Sequence, residues 1–291
     1  MRILFISLIS CFIATCSIGQ KINGINLVSS KKAFKGSVSK ELTKINANYI
    51  ALTPYLLMKE GSPEIYYEIE GNYWGDYRVN MKKIVSDAQE PGLKIMLKPH
   101  IFVENVGWAG TLNFNTKDWY KWKVNFAKKM LIFAQFAEEN NIDILCVGVE
   151  LKSATQNDSP FFTELIKRIR KIYKGKLTYA ANWDNYQNIS FWKELDYIGI
   201  DGYFPISTKK SPSKQDIEKG WNKIIPKLER FSKAQQKSII FTEFGYRSCD
   251  YALGRQWEIE QNKNIPINYT NQNNGYEVFF EKVYSQKFIA G

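Results

Sequence analysis

Ile142-Asp143-Ile144-Leu145-Cys146-Val147-Gly148-Val149-Glu150 is the stretch on which the fold turns. It is short, β-branched and almost wholly apolar, the pattern of a strand buried on both faces. A glutamate closes it at the carboxyl end. Nothing earlier in the run prepares a place for a charge, so a chemical role at the strand mouth is one reading of Glu150. Ser238-Ile239-Ile240-Phe241-Thr242-Glu243-Phe244-Gly245 repeats the design with Glu243 at its end. Two glutamates closing two strands far apart in sequence suggest a paired-carboxylate site.

Five further runs read as strands: Ile22–Leu27, Tyr49–Leu52, Leu93–His100, Leu177–Trp183 and Tyr197–Tyr203. Helical patterns separate them. Trp119, Trp122, Phe126, Met130, Phe133 and Ala137 recur at three- and four-residue spacing, which puts an aromatic stripe on one face and marks it as core. Phe162, Leu165, Ile169 and Ile172 repeat the pattern, as do Ile217, Trp221, Ile224, Leu228 and Phe231. Weaker helical signals cover Ser39–Asn46, Val79–Gln89, a short piece at Ile189–Glu194, and Gly275–Ser285. Strands alternating with helices predict βα units around a parallel sheet. There are seven such units, and eight would close a barrel of about 250 residues. An open doubly wound sheet is the alternative. A nucleotide-binding sheet of that kind usually carries a Gly-rich turn after its first strand, and Leu27-Val28-Ser29-Ser30 is not one. The expected fold class is therefore α/β, a (β/α)8 TIM barrel.

The 291 residues, 44% hydrophobic and 15% aromatic, suit one large domain, with no linker to split it. Residues 1–19 read as a secretory signal peptide: Arg2, an apolar stretch to about Ala14, then Ser17-Ile18-Gly19 as the cleavage site. The expected mature domain is 20–291, secreted or periplasmic. Lipidation at Cys16 is the alternative, although Ile13-Ala14-Thr15 makes a poor lipobox. The apolar stretch is too short to span a bilayer, and no other transmembrane segment is expected. Cys146 and Cys249 stay after cleavage, and their positions do not favour a disulfide. The formal net charge of +11 falls to +10 when Arg2 leaves. Scattered lysines and no groove-reading module argue for a solvated surface, with no nucleic-acid partner.

The chain has one histidine, His100. A two-histidine zinc site cannot be built from it, and a serine triad would have to run through that residue. Carboxylates remain as the acid–base machinery, and the reading calls for no metal or cofactor. Side chains two apart on a strand share a face. Glu150 then goes with Gly148 and Cys146, Glu243 with Phe241 and Ile239, Tyr203 with Asp201, His100 with Lys98, and Asn182 with Ala180. If these faces point to the axis, Glu150, Glu243, Tyr203, His100 and Asn182 converge at the carboxyl-end mouth. Two carboxylates there suit glycoside hydrolysis, one as proton donor and one as nucleophile, at the retaining separation of about 5–5.5 Å. A single strand-end glutamate would more readily be an ion-pair partner, for instance of Arg247.

Four stretches carry a family resemblance: Leu97-Lys98-Pro99-His100 with Trp108 beyond it, Val147-Gly148-Val149-Glu150, Asp201-Gly202-Tyr203-Phe204-Pro205, and Phe241-Thr242-Glu243-Phe244-Gly245-Tyr246-Arg247-Ser248. From about Ile22 onward the chain resembles the clan A retaining glycoside hydrolases, and most closely glycoside hydrolase family 113, secreted β-mannanases on a (β/α)8 barrel. The resemblance implies that Glu150 is the acid/base and Glu243 the nucleophile. Tyr203 would hydrogen-bond the nucleophile. His100, Asn182 and Trp183 would line the subsite of the attacked sugar, and Trp74 and Trp108 would stack on neighbouring sugars. The clan usually has Asn before its acid/base, where this chain has Val149.

The substrate implied is an oligo- or polysaccharide, most closely β-mannan, cut endo or exo. A carbohydrate-binding barrel without turnover and a hydrolase of another β-glycan are the alternatives. Against the resembled family, only Phe288-Ile289-Ala290 is left to serve as an eighth strand, so most of the eighth βα unit is expected to be lacking at the C-terminus. A gap between first and seventh strands, weak activity and self-association through the open edge are the consequences expected.

Overall fold

In the computed structural model, residues 20–69, 73–255, 257–258 and 265–291 are described. The signal-peptide reading of 1–19 lies outside them. The chain begins with β1 (Gly24–Val28), α1 (Val38–Thr43), β2 (Tyr49–Thr53) and β3 (Tyr55–Met58). It continues with α2 (Arg78–Gln89), β4 (Lys94–Leu97), β5 (His100–Val103), β6 (Gly107–Trp108) and α3 (Thr116–Glu139). Next come β7 (Ile144–Val149), α4 (Lys152–Asn157), α5 (Ser159–Ile172), β8 (Lys176–Asn182) and β9 (Ile198–Asp201). The last elements are α6 (Lys214–Gln235), β10 (Ile239–Glu243) and α7 (Tyr269–Val278), which runs on as a π-helical segment to Tyr284. Single 3-10 turns at Tyr186–Asn188 and Trp192–Glu194 stand where a short helix was expected.

Seven strands form one parallel sheet in the order β1-β2-β4-β7-β8-β9-β10. Its strands follow chain order, as a barrel requires. The helices cover its outside. On α3, Trp122, Phe126, Met130, Phe133 and Ala137 are buried while Tyr120 and Val124 face solvent. Asn115 starts that helix by accepting the Asp118 backbone N–H at 3.0 Å, and Ser213 with Asp216 forms a capping box at the start of α6.

A separate cluster of Ala51, Met96, Ile144 and Ile240 fills the inside of the sheet. It corrects one expected face. Ile240 points to the axis, whereas Ile239 belongs to the outer core and Phe241 packs on Trp221 and Phe279 of the helices. Phe241 and Ile239 therefore do not share the axial face with Glu243. A register shift between Phe241 and Glu243 supplies the turn that brings Glu243 inward.

The run Leu93–His100 is two strands. β4 belongs to the barrel, and β5 begins a three-stranded sheet, β3-β5-β6, standing on the barrel mouth. Pro99 lies between them and has no N–H for the ladder, so the chain leaves the barrel there.

The last four residues reach between β10 and the start of β1. The Ile239 N–H donates to Phe288 O at 2.9 Å, the Ala290 N–H to Ile239 O at 2.7 Å and the Phe241 N–H to Gly291 O at 2.9 Å. On the other side the Ile22 N–H donates to Ala290 O at 2.8 Å. The eighth-strand position is thus filled at its base. Above that level β1 and β10 are the two ends of the sheet, joined by the Asn26 side chain donating to Thr242 O at 3.1 Å. A lateral cavity of about 550 Å³ opens there, lined by Asn26, Thr242, Phe244 and Phe280 among others. The barrel is incomplete in its upper wall. Among the described residues, no helix is long and apolar enough to cross a membrane.

Candidate active site

Glu243 ends β10 and is held at both oxygens. Lys98 follows β4 on the axial face and is wholly buried; its Nζ donates to Glu243 Oε1 at 2.6 Å and to Thr242 O at 3.1 Å. The Tyr203 hydroxyl donates to Oε2 at 3.0 Å. His100 Nε2 stands 3.3 Å from Oε1 without hydrogen-bond alignment. Burial by itself raises the Glu243 pKa. The Lys98 charge, then His100, and the hydrogen bonds from Lys98 and Tyr203 overcome it and hold this carboxyl below the ordinary carboxylate value. His100 is itself pushed down to about 4 by burial and by Lys98, against the pull of Glu243. At neutral pH the imidazole is therefore uncharged, and the cation beside Glu243 is Lys98.

Glu150 has the opposite environment. It follows β7 and takes a left-handed backbone, φ +48°, uncommon for a residue with a side chain. Its N–H still donates to Ala180 O at 2.8 Å, and the next N–H, of Leu151, donates to the buried Tyr179 hydroxyl at 2.8 Å. These two bonds turn the chain out of the strand and leave the carboxyl at the mouth. The Trp108 indole Nε1–H donates to Glu150 Oε2 at 2.6 Å. Gly110 makes room for that indole, since a Cβ there would lie 2.2 Å from the ring. Burial, then the negative charge of Glu243, push the Glu150 pKa up to about 7, with the Trp108 bond and Lys98 opposing. Two carboxyls in one mouth thus have pKa values driven apart, the arrangement that lets one be an acid while the other is a base or nucleophile.

Below them lies a polar floor inside the barrel. Asp201 is wholly buried; its Oδ1 accepts the Thr242 hydroxyl at 2.8 Å, and Oδ2 has no hydrogen-bond partner among the described residues. Burial and then the negative charge of Glu243 push its pKa well above the ordinary carboxylate value. Cys146 is buried beside Gly148 and is a free thiol, as is Cys249.

Glu150, Glu243, Tyr203 and His100 do meet at the mouth, although register shifts on β10 and β7 break the strand alternation that leads to the two glutamates. Asn182 ends β8, paired in register with Asp201, and its Oδ1 is buried without a hydrogen-bond partner among the described residues. Trp183, next along, stacks on Trp257 at 5.8 Å between centroids and meets Phe204 edge-on. Trp108 sits at Glu150 as a hydrogen-bond donor and is 39% exposed. Trp74 is half-buried, edge-on to Phe34 and packed on the core. Two features were missed. Lys98 was placed on the right face but given no part, although a lysine inside an apolar run needs a buried partner. Tyr55 meets the His100 ring edge-on at 6.3 Å; it stands on β3, a strand that is not among the seven runs read from the sequence.

The sequence profile of Glycoside Hydrolase Family 113 matches residues 28–291. The chain belongs to glycoside hydrolase family 113. It is accordingly a glycoside hydrolase with a glycan substrate. Among solved structures, family 113 folds superpose well. A GH113 β-mannanase from Alicyclobacillus acidocaldarius gives a TM-score of 0.80 at 21% identity, covering 94% of this chain and 86% of that one. A GH113 β-1,4-mannanase gives 0.79 at 23%, covering 94% and 87%. The fold extends to a Ruminococcus gnavus β-glucuronidase, with a TM-score of 0.64 at 14% identity over 93% of this chain and 43% of that one. No curated protein matches the sequence.

Proposed function

We propose that the chain is a retaining β-1,4-mannan hydrolase that works by double displacement through Glu243 and Glu150. The observation that carries this is the split between the two carboxyls: Lys98 and Tyr203 keep Glu243 ionised, while burial beside that charge keeps Glu150 protonated near neutral pH. In the first step the Glu243 carboxylate forms a bond to the anomeric carbon. The glycosidic bond breaks, and its oxygen takes the Glu150 proton. In the second step Glu150, now a carboxylate, removes a proton from water, whose oxygen bonds to the anomeric carbon as Glu243 leaves. Asn182, with its unpartnered amide oxygen, would accept a hydroxyl of the attacked sugar; with Val149 in place of the clan's usual Asn, that contact gains weight. Trp183 would form part of the same subsite. Mannan is favoured because the family 113 structures named above are β-mannanases.

The mechanism requires the two carboxyl groups about 5–5.5 Å apart, and a crystal structure with a bound inhibitor measures this directly. The deciding experiment follows the anomeric proton by NMR during cleavage of manno-oligosaccharides. A β-anomer as first product supports retention, and an α-anomer ends the proposal. Glu243→Ala should lose normal turnover and, with azide, give the inverted glycosyl azide. Glu150→Ala should hurt poor leaving groups most. A barrel that binds glycan without turning it over is the second reading, favoured by the open upper wall; a panel of β-glycans with no hydrolysis would decide for it.

A further inference from the structure

Thr242 is the residue of β10 that has no register partner on β9. The pairing runs Ile239 with Ile198, Ile240 with Gly199 and Phe241 with Ile200, and resumes at Glu243 with Asp201. Two residues of β10 therefore stand against one step of β9, which is a bulge at Thr242. Glu243 is the next residue, so the backbone at Thr242 sets the direction its carboxyl takes.

Side chains hold this bulge where the ladder does not. The Thr242 hydroxyl donates to Asp201 Oδ1 at 2.8 Å. Its carbonyl accepts from Lys98 Nζ and from Asn26 Nδ2, each at 3.1 Å. The same Lys98 Nζ donates to Glu243 Oε1 at 2.6 Å. β9 also leaves the space required. A Cβ on Gly199 would lie 3.0 Å from the Thr242 methyl, and one on Gly202 would lie 2.5 Å from the Phe241 ring.

Sheet stability explains neither residue well. Asp201 is wholly buried, and its Oδ2 has no hydrogen-bond partner among the described residues. A buried carboxyl with an unmet oxygen is costly. Thr242 is buried too and follows the apolar run Ile239-Ile240-Phe241. Valine would have the same branched shape there and no hydroxyl to bury. What the two polar groups achieve together is a fixed Thr242.

We propose that Asp201 is a positioning residue for Glu243: through the Thr242 hydroxyl it holds the bulge that seats the Glu243 carboxylate against Lys98. The seat is a property of the fold. Its effect on turnover rests on Glu243 being the nucleophile.

The first arm of the test needs no substrate. The Glu243 carboxyl is titrated by carbon NMR on chain labelled with isotopic glutamate, and Glu243→Gln assigns the signal. Lys98, His100, Tyr203, Tyr55, Glu150 and Asp201 are the titratable groups around it. Burial raises the pKa of this carboxyl, and Lys98 leads the groups that lower it. Thr242→Val should loosen the seat at Lys98 and move the Glu243 titration upward. The sign is diagnostic. Loss of the Thr242 bond also makes Asp201 harder to ionise, and a less charged Asp201 would by itself move Glu243 downward. An upward shift therefore reports the seat. Thr242→Ser keeps the hydroxyl and should restore the parent titration. The second arm is turnover of manno-oligosaccharides. Thr242→Val should lower kcat about 100-fold with KM within about three-fold, and Thr242→Ser should recover most of the loss. Asp201→Ala should match Thr242→Val, and the double variant should lose no more than the worse single one, since both cut the same bond. A Glu243 titration that stays or falls in Thr242→Val overturns the proposal, whatever happens to thermal stability. So does a serine that fails to rescue, or losses from Asp201→Ala and Thr242→Val that multiply. A parent that cleaves no manno-oligosaccharide ends the mannan reading alone, and the titration then decides the seat.

Discussion

Lys98 decides how the two glutamates differ. A buried ammonium in contact with one carboxylate makes the ionised form of that group the stable one, and the negative charge so fixed makes ionisation of the second harder. Activity needs Glu243 ionised and Glu150 protonated. The pH profile of kcat/KM should therefore fall on the alkaline side around 7, as Glu150 loses its proton, and on the acid side below the ordinary carboxylate range, as Glu243 gains one. Lys98→Met should lower kcat by roughly 100-fold or more and move the acid limb upward, since burial then acts on Glu243 unopposed. A Lys98→Met enzyme with an unshifted acid limb would show that the ammonium only fills space. Trp108→Phe should move the alkaline limb upward, because the lost indole bond favoured the charged form of Glu150. The same group has a stability consequence. Glu150 titrates higher in the folded chain than in the unfolded one, so between about 4.5 and about 7 the folded state holds more protons and stability falls as pH rises. Glu150→Gln removes this cost, so its thermal midpoint should exceed that of the parent at pH 8 and approach it at pH 5.

At the scale of elements, the site depends on two departures from regular strands. The register shift before Glu243 and the left-handed residue at Glu150 each re-aim one carboxyl. Neither was legible from the sequence. Strand alternation gave the wrong companions for Glu243, because one extra residue on β10 exchanges the faces of everything before it. It groups Glu150 with Cys146 and Gly148, but a register shift between Cys146 and Val149 breaks that parity too, and it is Val149 that clusters with Cys146. The barrel strands and the helix stripes were legible, since core burial writes their periods directly into the chain. The mouth sheet was not: Leu93–His100 is continuous in hydrophobicity, and only the missing N–H of Pro99 marks the step from β4 to β5. Tyr179 ties the turn at Glu150 to β8. Tyr179→Phe leaves the Leu151 N–H unpaired in a buried place, which should cost about 1–3 kcal/mol in denaturant unfolding. It should also reduce kcat more than KM, as the Glu150 carboxyl loses its fixed position. Loss of stability with kcat unchanged would separate the turn from the chemistry.

On the scale of the whole molecule, the barrel is shut at its base and open above. The short segment Phe288–Gly291 does more than was expected of it, pairing with β10 and reaching Ile22. Lys21 reinforces the join by donating to Tyr284 O, Gln286 O and Ile289 O at 2.5, 2.7 and 2.6 Å. Above it, among the described residues, β1 has a strand neighbour on one side only, and Ile25, Val28 and Phe280 are exposed at 41%, 56% and 52%. An open parallel edge with apolar side chains beside it invites another strand. For the chain 20–291 the expected outcome is therefore a mass in solution that rises with concentration, measured by light scattering. Ile25→Lys places a charge on that edge and should hold the chain as a monomer over the same range. Ile25 lines the same lateral cavity as Tyr203, so kcat on manno-oligosaccharides, measured beside the parent's, checks that the carboxyl pair is undisturbed. Parent chains that stay monomeric at every concentration would show that the base pairing and the Asn26–Thr242 bond protect the edge well enough without a partner.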